Sequence, residues 1–239
     1  TKLKSADPPP HLKLFRGLIG AKTTYSSGTG TVEQYAQAAT AAGLDFLVFM
    51  DDFAALTPEK LKSLTADCER CSSDKLKLLP GFCIANNVGN RMFFYSPQPV
   101  WIPDYCLTGA DKKTLYVQEE DGKGNYTGYL TPFLDWVLNS YHVEKGQVGY
   151  YHFSASPHGM RMWDLRLYGM AAIRYYRDGR LVEDNTDDYL TTAQATIPPA
   201  PVSVNEVASA EALTREVNSG HSLVYAQASS LDTLFPHAR

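Results

Sequence analysis

The chain has 239 residues, of which 44% are apolar and 20% charged, and its net charge is −4 at neutral pH. These proportions are typical of a folded globular protein and exclude a disordered tail, a collagen and a coiled coil. Because the sequence has no excess of positive charge to attract a polyanion, we expect no nucleic-acid partner. No apolar run approaches the roughly 20 residues of a membrane-spanning helix, so we expect no membrane insertion.

The ends of the sequence lead us to expect part of a longer protein. Residues 1–13 include three consecutive prolines, so we expect a flexible N-terminal segment followed by one domain over 14–239. Thr1 is not a translation start, so we expect that a preceding segment has been removed or is missing. If a signal was removed, we expect a secreted or periplasmic location rather than a cytoplasmic one. Other domains of the same protein are then expected partners.

Strands and helices alternate along the first part of the chain. The predicted strands are, in order, 14–19, 44–50, 76–85 and 92–95. The second of these strands is almost entirely apolar, as in a parallel strand that is buried on both faces. One helix begins at Thr31, which has capping-box spacing to Gln34, and ends at Gly43. Another begins at Thr57, has a proline in its first position and runs to about residue 71.

Residues 96–128 lack this regularity and contain several prolines and glycines. We predict an excursion from the sheet here, with a short strand at 115–117 and a hairpin-like turn at 121–122.

Regular elements resume after this excursion. We predict, in order, a helix at 131–142, strands at 148–153 and 172–176, a hairpin turn at 178–179, a helix at 186–195, a strand at 202–207, a helix at 209–218 and a strand at 222–226. Strands separated by helices indicate parallel βαβ units and an α/β fold. Because ligands of such folds bind at the carboxyl ends of the strands, we expect any chemistry there.

Cys68 and Cys71 form a CxxC pair at the end of the second predicted helix. Such a pair can be half of a zinc site or a redox pair, but a second CxxC is missing from the sequence. We therefore favour two ordinary thiols, or a local disulfide if the protein is secreted, and the sequence leaves that choice open.

Three segments of residues 14–95 resemble the motifs of one family. A Tyr-Ser-x-Gly loop lies at 25–28, an Ala-x-x-x-Gly-Leu-Asp segment at 39–45, and a Pro-Gly pair at 80–81. In this order and spacing they are similar to the PHP (polymerase and histidinol phosphatase) superfamily of metal-dependent hydrolases. The resemblance implies a distorted, TIM-like, seven-stranded β/α barrel with the excursion as a hairpin-like insertion.

The resemblance also marks the positions where the family binds its metals, and most of the family's ligands are replaced. The two histidines of the opening motif correspond to Gly20 and Lys22. The Asp-His pair after the second strand corresponds to Asp51 and Asp52, and the glutamate after the Pro-Gly pair to Cys83.

Of these early ligands only the aspartate, Asp51, survives, and the later family ligands are replaced as well. The histidine that follows in the family corresponds to Arg91, and the closing Asp-x-His has no counterpart at 229–232. Glycine has no donor atom, and protonated lysine and arginine repel a divalent ion. We therefore expect that the family's Zn, Mn or Fe centre is lost, with no metal ligands and no cofactor.

The first functional hypothesis is a degenerate, metal-free PHP-like domain that binds a ligand or a partner, or acts as a scaffold in a larger protein. Its ligand is expected to be small and polar or anionic, and Lys22, Arg91 and Tyr25 are the candidate binding residues. We predict that Lys22 contacts Asp51 or Asp52, because neighbouring parallel strands lie close enough for a lysine side chain to span them.

The alternative is a hydrolase of a phosphoester or a related polar bond that uses a remodelled site. Its candidate catalytic residues are Asp51, Asp52, His152 and His158. A histidine in an aromatic strand is more often a satisfied core residue, and adjacent carboxylates on a strand end point to opposite sides. The Ser/Gly loop at 26–30 can cradle an anion before a helix, but such loops are more often structural.

Overall fold

The structure is a computed structural model that describes residues 12–120, 126–129, 131–136, 147–151, 170–193, 200–220 and 223–231. The strands are β1 (Lys13–Ala21), β2 (Phe46–Phe49), β3 (Asp51–Asp52), β4 (Lys77–Leu79), β5 (Gly81–Ala85), β6 (Arg91–Tyr95), β7 (Leu107–Thr108), β8 (Thr114–Leu115), β9 (Gln118–Glu120), β10 (Tyr126–Tyr129), β11 (Gln147–Tyr151), β12 (Met170–Arg177), β13 (Arg180–Asp184), β14 (Ala200–Glu206) and β15 (Val224–Ala228). The helices are α1 (Val32–Ala41), α2 (Pro58–Cys71), α3 (Thr131–Trp136), α4 (Thr186–Ala193) and α5 (Ala210–Ser219). The fold is mixed α/β.

Two larger sheets contain most of the strands. The first has the order β15-β1-β2-β4, and the second has the order β13-β12-β11-β6-β5-β3, with β14 beside β12. β1, β2 and β4 are mutually parallel, as predicted, but β15 is antiparallel to β1. β6 is antiparallel to β5, because the connection of five residues between them is too short for a parallel crossover.

One predicted strand is wrong in its extent. The run 76–85 is two strands, β4 and β5, separated by Pro80, and the two strands belong to different sheets. Proline has no backbone N–H for the ladder, so a break at this residue has a local cause. The chain changes sheets in the same way at Met50, which lies between β2 and β3.

The predicted helix starts are confirmed by their caps. Thr31 Oγ1 accepts a hydrogen bond from Gln34 N at 3.2 Å, and Gln34 Oε1 accepts one from Thr31 N at 2.9 Å. Thr57 caps α2 through Lys60 N, and Ser209 caps α5 through Ala212 N. These caps supply acceptors for backbone donors that have no partner within the helix.

The excursion after β6 contains two antiparallel strand pairs. β7 pairs with β8, and β9 with β10 on either side of the predicted turn. The predicted strand 115–117 ends at Leu115. Tyr116 N still bonds to Cys106 O beside β7 at 2.8 Å, but Val117 N bonds to a side chain, Asn87 Oδ1, at 2.9 Å. The hairpin turn at 178–179 is confirmed, with Asp178 at φ 45° and Gly179 at φ 75° between β12 and β13.

Several predictions lie outside the described residues. They include the segment 1–11 of the predicted flexible terminus, the turn at 121–122, the later part of the helix 131–142, and the ends of the strand 148–153 and of the helix 186–195. Lys13, which we assigned to the flexible segment, belongs to β1 and pairs with Ala228.

β2 and the second half of β1, residues 17–21, are buried on both faces. Leu18 and Leu47 pack into one hydrophobic cluster together with the inner faces of α1, α2 and α5. Ile19 and Val48 point the other way into a second cluster. This explains the apolar run of the second predicted strand. No helix within the described ranges has the length and apolar character needed to cross a bilayer.

Candidate functional site

Charged residues meet where three strands end. Lys22 directly follows β1, Asp51 and Asp52 follow β2 after one intervening residue, and Glu206 is the last residue of β14. β1 and β2 are parallel, and a parallel bridge between Ala21 and Val207 joins the ends of β1 and β14. We call Lys22, Thr23, Asp51, Asp52 and Glu206 the strand-end cluster.

The Lys22 ammonium group lies between two carboxylates of this cluster. Its Nζ is 2.7 Å from Asp52 Oδ1, and it also forms an ion pair with Glu206. Its side chain is only 8% exposed. Burial on its own would lower the pKa of Lys22, but the hydrogen bonds and charges of Asp52 and Glu206 outweigh burial and raise that pKa. The predicted contact of Lys22 with Asp51 or Asp52 is thus confirmed, and the ammonium is a permanent cation at neutral pH.

Asp51 is fully buried and is held by hydroxyl and backbone donors. Its Oδ1 accepts from Thr23 N at 2.8 Å and from the Ser26 hydroxyl, and its Oδ2 accepts from Thr23 Oγ1 at 2.8 Å. Burial raises the pKa of Asp51, although the hydrogen bonds from Ser26 and Thr23 oppose that rise. Both oxygens of this carboxylate therefore serve to hold the loop that follows β1.

Asp52 faces a different set of donors, as expected for adjacent residues of a strand. One oxygen accepts from Lys22 and the other from the Ser27 hydroxyl. Burial acts to raise the pKa of Asp52, but the hydrogen bonds from Lys22 and Ser27 and the charges of Lys22 and Arg91 lower it overall. Ser26 and Ser27 thus bind carboxylates, which supports the structural interpretation of the loop at 26–30.

The sequence analysis missed Glu206. Its second oxygen accepts from the Tyr175 hydroxyl, and Arg177 Nε lies 3.6 Å away from that same oxygen. The sequence could have indicated Glu206 as a candidate site residue, because it is a charged residue at the carboxyl end of a predicted strand. The long separation along the chain hid its contact with Lys22.

Two candidate ligand-binding residues have different surroundings. Arg91 begins β6, opposite Ala85, and its positive charge acts on Asp52. Tyr25 donates its hydroxyl to Asp67 Oδ2 on α2 at 2.9 Å, so that group binds helix α2 rather than a carboxylate of the cluster. His152 and His158 lie outside the described residues.

The CxxC pair lies at the end of α2, as predicted, and both residues are free cysteines. Cys68 is buried, and its burial raises the pKa of its thiol. A thiol in this state is a poor nucleophile.

Comparison with solved structures relates this arrangement to a known fold. A two-domain protein from Bacteroides vulgatus, described as containing a predicted PHP-like metal-dependent phosphoesterase, matches 98% of the chain with a TM-score of 0.53 and 10% identity. The chain has a PHP-like fold. It spans 65% of the length of that neighbour.

Two further structures are similar to parts of the chain. PsfC from Pseudomonas syringae matches 82% of the chain and 78% of its own length, with a TM-score of 0.49 and 9% identity. A Bifidobacterium adolescentis protein, whose description as a metal-dependent phosphoesterase is itself an inference, matches 81% of the chain and 87% of its own length, with a TM-score of 0.43 and 14% identity. No family model matches the sequence, and no curated protein matches it.

The described strand-end residues do not fit the divalent metal centre that a PHP-like phosphoesterase implies. No group of three or more His, Cys, Asp or Glu suited to a metal occurs within the described ranges. Gly20 adds a steric reason, because a Cβ at this position would lie 2.1 Å from Asn205 O. A histidine therefore cannot stand there without a shift of the backbone, and we derive no chemical step through a metal.

Proposed function

We propose that this chain is a metal-free PHP-like domain that binds a ligand or a partner at its strand ends and does not hydrolyse phosphoesters. One observation carries the proposal: the ammonium group of Lys22 lies between Asp52 and Glu206 at the carboxyl ends of the strands. A fixed cation supplies the positive charge that these carboxylates would otherwise need from a metal ion. Removing one partner of such a buried pair leaves the other charge unpaired.

The hydrogen bonds of the carboxylates support the same proposal. Each oxygen of Asp51 and Asp52 accepts from a hydroxyl, an amide or an ammonium group. A metal ion at Asp52 Oδ1 would have to lie beside the Lys22 ammonium group, whose charge repels it. General-base catalysis by Asp51 Oδ1 would require the loss of a bond from Thr23 or Ser26, because both already donate to that oxygen.

We further propose that the two sheets form a distorted seven-stranded barrel. Neighbouring strands run from β1 through β2–β3, β4–β5, β6, β11 and β12 to β14, and the bridge between Ala21 and Val207 joins β14 to β1. One buried cluster takes side chains from both sheets, among them Ile19, Phe93 and Val204. A packed barrel interior is filled in this way.

The proposed ligand is a small polar or anionic molecule, and the proposed partners are other domains of the same protein. Arg91 and Arg177 add positive charge beside the cluster, with the Arg177 side chain 56% exposed. The neighbour from Bacteroides vulgatus is a two-domain protein that is longer than this chain. Because that neighbour has a second domain, it supports the proposal that other domains of the same protein are partners of this chain.

The test is elemental analysis of freshly purified protein, combined with thermal melting in the presence and absence of a chelator. We expect less than stoichiometric Zn, Mn and Fe and an unchanged melting temperature. Bound metal would stabilise the folded state in proportion to the logarithm of its excess over the dissociation constant. One or more ions per chain, together with a lower melting temperature in chelator, would refute the metal-free proposal.

The hydrolase alternative has its own test, with p-nitrophenyl phosphate as the substrate. We expect no turnover by the parent protein. If turnover is found and falls at least about a hundredfold in His152→Gln, as expected for a lost general base, the hydrolase alternative is correct. A matched substitution, Gln98→Asn on the exposed surface after β6, controls for a general effect on folding.

A further inference from the structure

A cavity of about 330 Å³ lies where the end of α2 meets β4 and the segment that follows β6. Its size is in the range of pockets that bind small molecules. None of its lining residues belongs to the strand-end cluster. All of β4 and the following Pro80 line the cavity, whereas the cluster follows the carboxyl ends of β1, β2 and β14. This is therefore a second, separate site.

The cavity is lined by apolar and polar residues. Cys68, Leu78, Leu79 and Leu231 are its buried apolar members, each less than 9% exposed, and Leu78 and Leu79 pack into different hydrophobic clusters. Polar side chains from the end of α2 and from the segments beside it form the rim. A site of this kind binds the apolar body of a ligand and orients its polar end.

The hydrogen bonds of Ser72 favour a small-molecule ligand over an extended peptide. Its hydroxyl donates to Cys68 O at 2.8 Å and accepts from Leu78 N at 2.9 Å. The outward N–H of β4 is therefore already satisfied by a side chain. An extended peptide that adds a strand to an exposed sheet edge needs such donors, so the cavity favours a small molecule over a peptide.

The charges at the rim decide the polar end of that ligand. Glu69 and Asp74 line the cavity, and neither forms a hydrogen bond or ion pair through its carboxylate with any other residue that the structure describes. Lys77 contributes the one lining ammonium group. Two carboxylates and one ammonium make the rim negative, which complements a cation.

We propose that this cavity binds a small organic amine, with its apolar body against the apolar lining residues and its protonated nitrogen at Glu69 and Asp74. A shallower cavity of about 380 Å³ shares Glu69 and Gln98 with the first and leads to Pro99 and Trp101. Trp101 stacks on Phe53 with ring centroids 4.4 Å apart, so its indole is held in place. Lys62 also lines this second cavity, so it gives room for the uncharged body of a longer or aromatic amine and not for its nitrogen.

The test compares three probes that share one apolar body and differ in charge: phenethylamine, 2-phenylethanol and phenylacetate. Binding to the full chain is measured by isothermal titration calorimetry at low ionic strength. We expect phenethylamine to bind at millimolar concentrations or below, and the alcohol and the carboxylate to bind at least about fivefold more weakly.

Variants locate the site. Glu69→Gln and Asp74→Asn remove one rim charge each from exposed positions, and each should weaken phenethylamine binding by about fivefold or more. Gln98→Arg adds a cation without removing a carboxylate, and it should also weaken the binding of phenethylamine. Glu119→Gln, an exposed carboxylate on β9 that does not line the cavity, is the matched control and should leave binding unchanged.

Three results would overturn the proposal: equal affinity for all three probes, no binding of phenethylamine at millimolar concentration, or an equal loss in Glu119→Gln and Glu69→Gln. Because the cavity shares no residue with the strand-end cluster, these outcomes leave the metal-free proposal unaffected. Conversely, bound metal at the strand ends would leave the amine proposal unaffected.

Discussion

Lys22 Nζ lies 2.7 Å from Asp52 Oδ1, although 30 positions separate the two residues in the sequence. The contact exists because β1 and β2 are parallel neighbours whose carboxyl ends coincide. Glu206 approaches the same ammonium group from β14. One cation thus ties together the ends of three strands, and the first two predictions concern this link.

Lys22→Met is expected to lower the free energy of unfolding by about 3 kcal/mol, the lower end of the range for a buried pair, because Asp52 and Glu206 lose their shared cation while their side chains are only 26% and 16% exposed. Urea denaturation measures the change. Lys75→Met, at an exposed lysine, is the matched control and is expected to change stability by less than about 0.5 kcal/mol. Similar small decreases in the unfolding free energy of both variants would mean that the ion pairs of Lys22 contribute little to stability.

The pH dependence of stability follows from the same pair. Lys22 and Ser27 lower the pKa of Asp52, so its contribution is complete above its unfolded pKa near pH 4 and is lost as the pH falls through the lower folded value. The pKa of Lys22 is raised, so its contribution is complete below its unfolded pKa of about 10.4 and is lost as the pH rises through the higher folded value.

The corresponding measurement is the difference in unfolding free energy between the parent and Lys22→Met from pH 2 to pH 11, a range of about nine units that includes the start of both transitions. The difference is expected to be flat between about pH 5 and pH 10 and to shrink toward both extremes. A difference that stays constant into strong acid would contradict the assigned role of Asp52.

Thr23→Val tests the support of Asp51. The substitution removes the hydroxyl that donates to Asp51 Oδ2 at 2.8 Å inside the protein, where an unsatisfied acceptor costs about 1–3 kcal/mol. Thr24→Val changes the next residue, which is exposed, and should have little effect. Thermal or urea unfolding of both variants gives the comparison. An equal effect of the two substitutions would show that the bond to Asp51 does not stabilise the fold.

Gly20→Ala tests the junction of β1 with β14. Gly20 has φ 130°, and a Cβ there would lie 2.1 Å from Asn205 O, so a loss of about 3 kcal/mol or more, or failure to fold, is expected. Gly220→Ala also places alanine at positive φ, 71°, but meets no atom within 4 Å and should cost about 1–2 kcal/mol. Melting temperatures of the two variants distinguish steric overlap from backbone strain alone, and equal losses would argue against the overlap.

Local features of the sequence were sufficient for the helix starts. Thr31, Thr57 and Ser209 cap the helices that follow them through bonds to donors three positions away, and such bonds depend on neighbouring residues only. The hairpin turn at 178–179 is local in the same sense. The order of motifs in residues 14–95 was also sufficient to predict the PHP-like fold.

The sequence also predicted that Lys22 contacts Asp51 or Asp52, because successive parallel strands of a βαβ unit are neighbours whose ends align, and the structure shows that the partner is Asp52. The sequence did not determine the contact of Lys22 with Glu206, which depends on how β14 meets β1 at the bridge between Ala21 and Val207. It also did not reveal that Gly20 has no room for a side chain. Both follow from the approach of two strands that are far apart in the chain, and only the tertiary structure decides that approach.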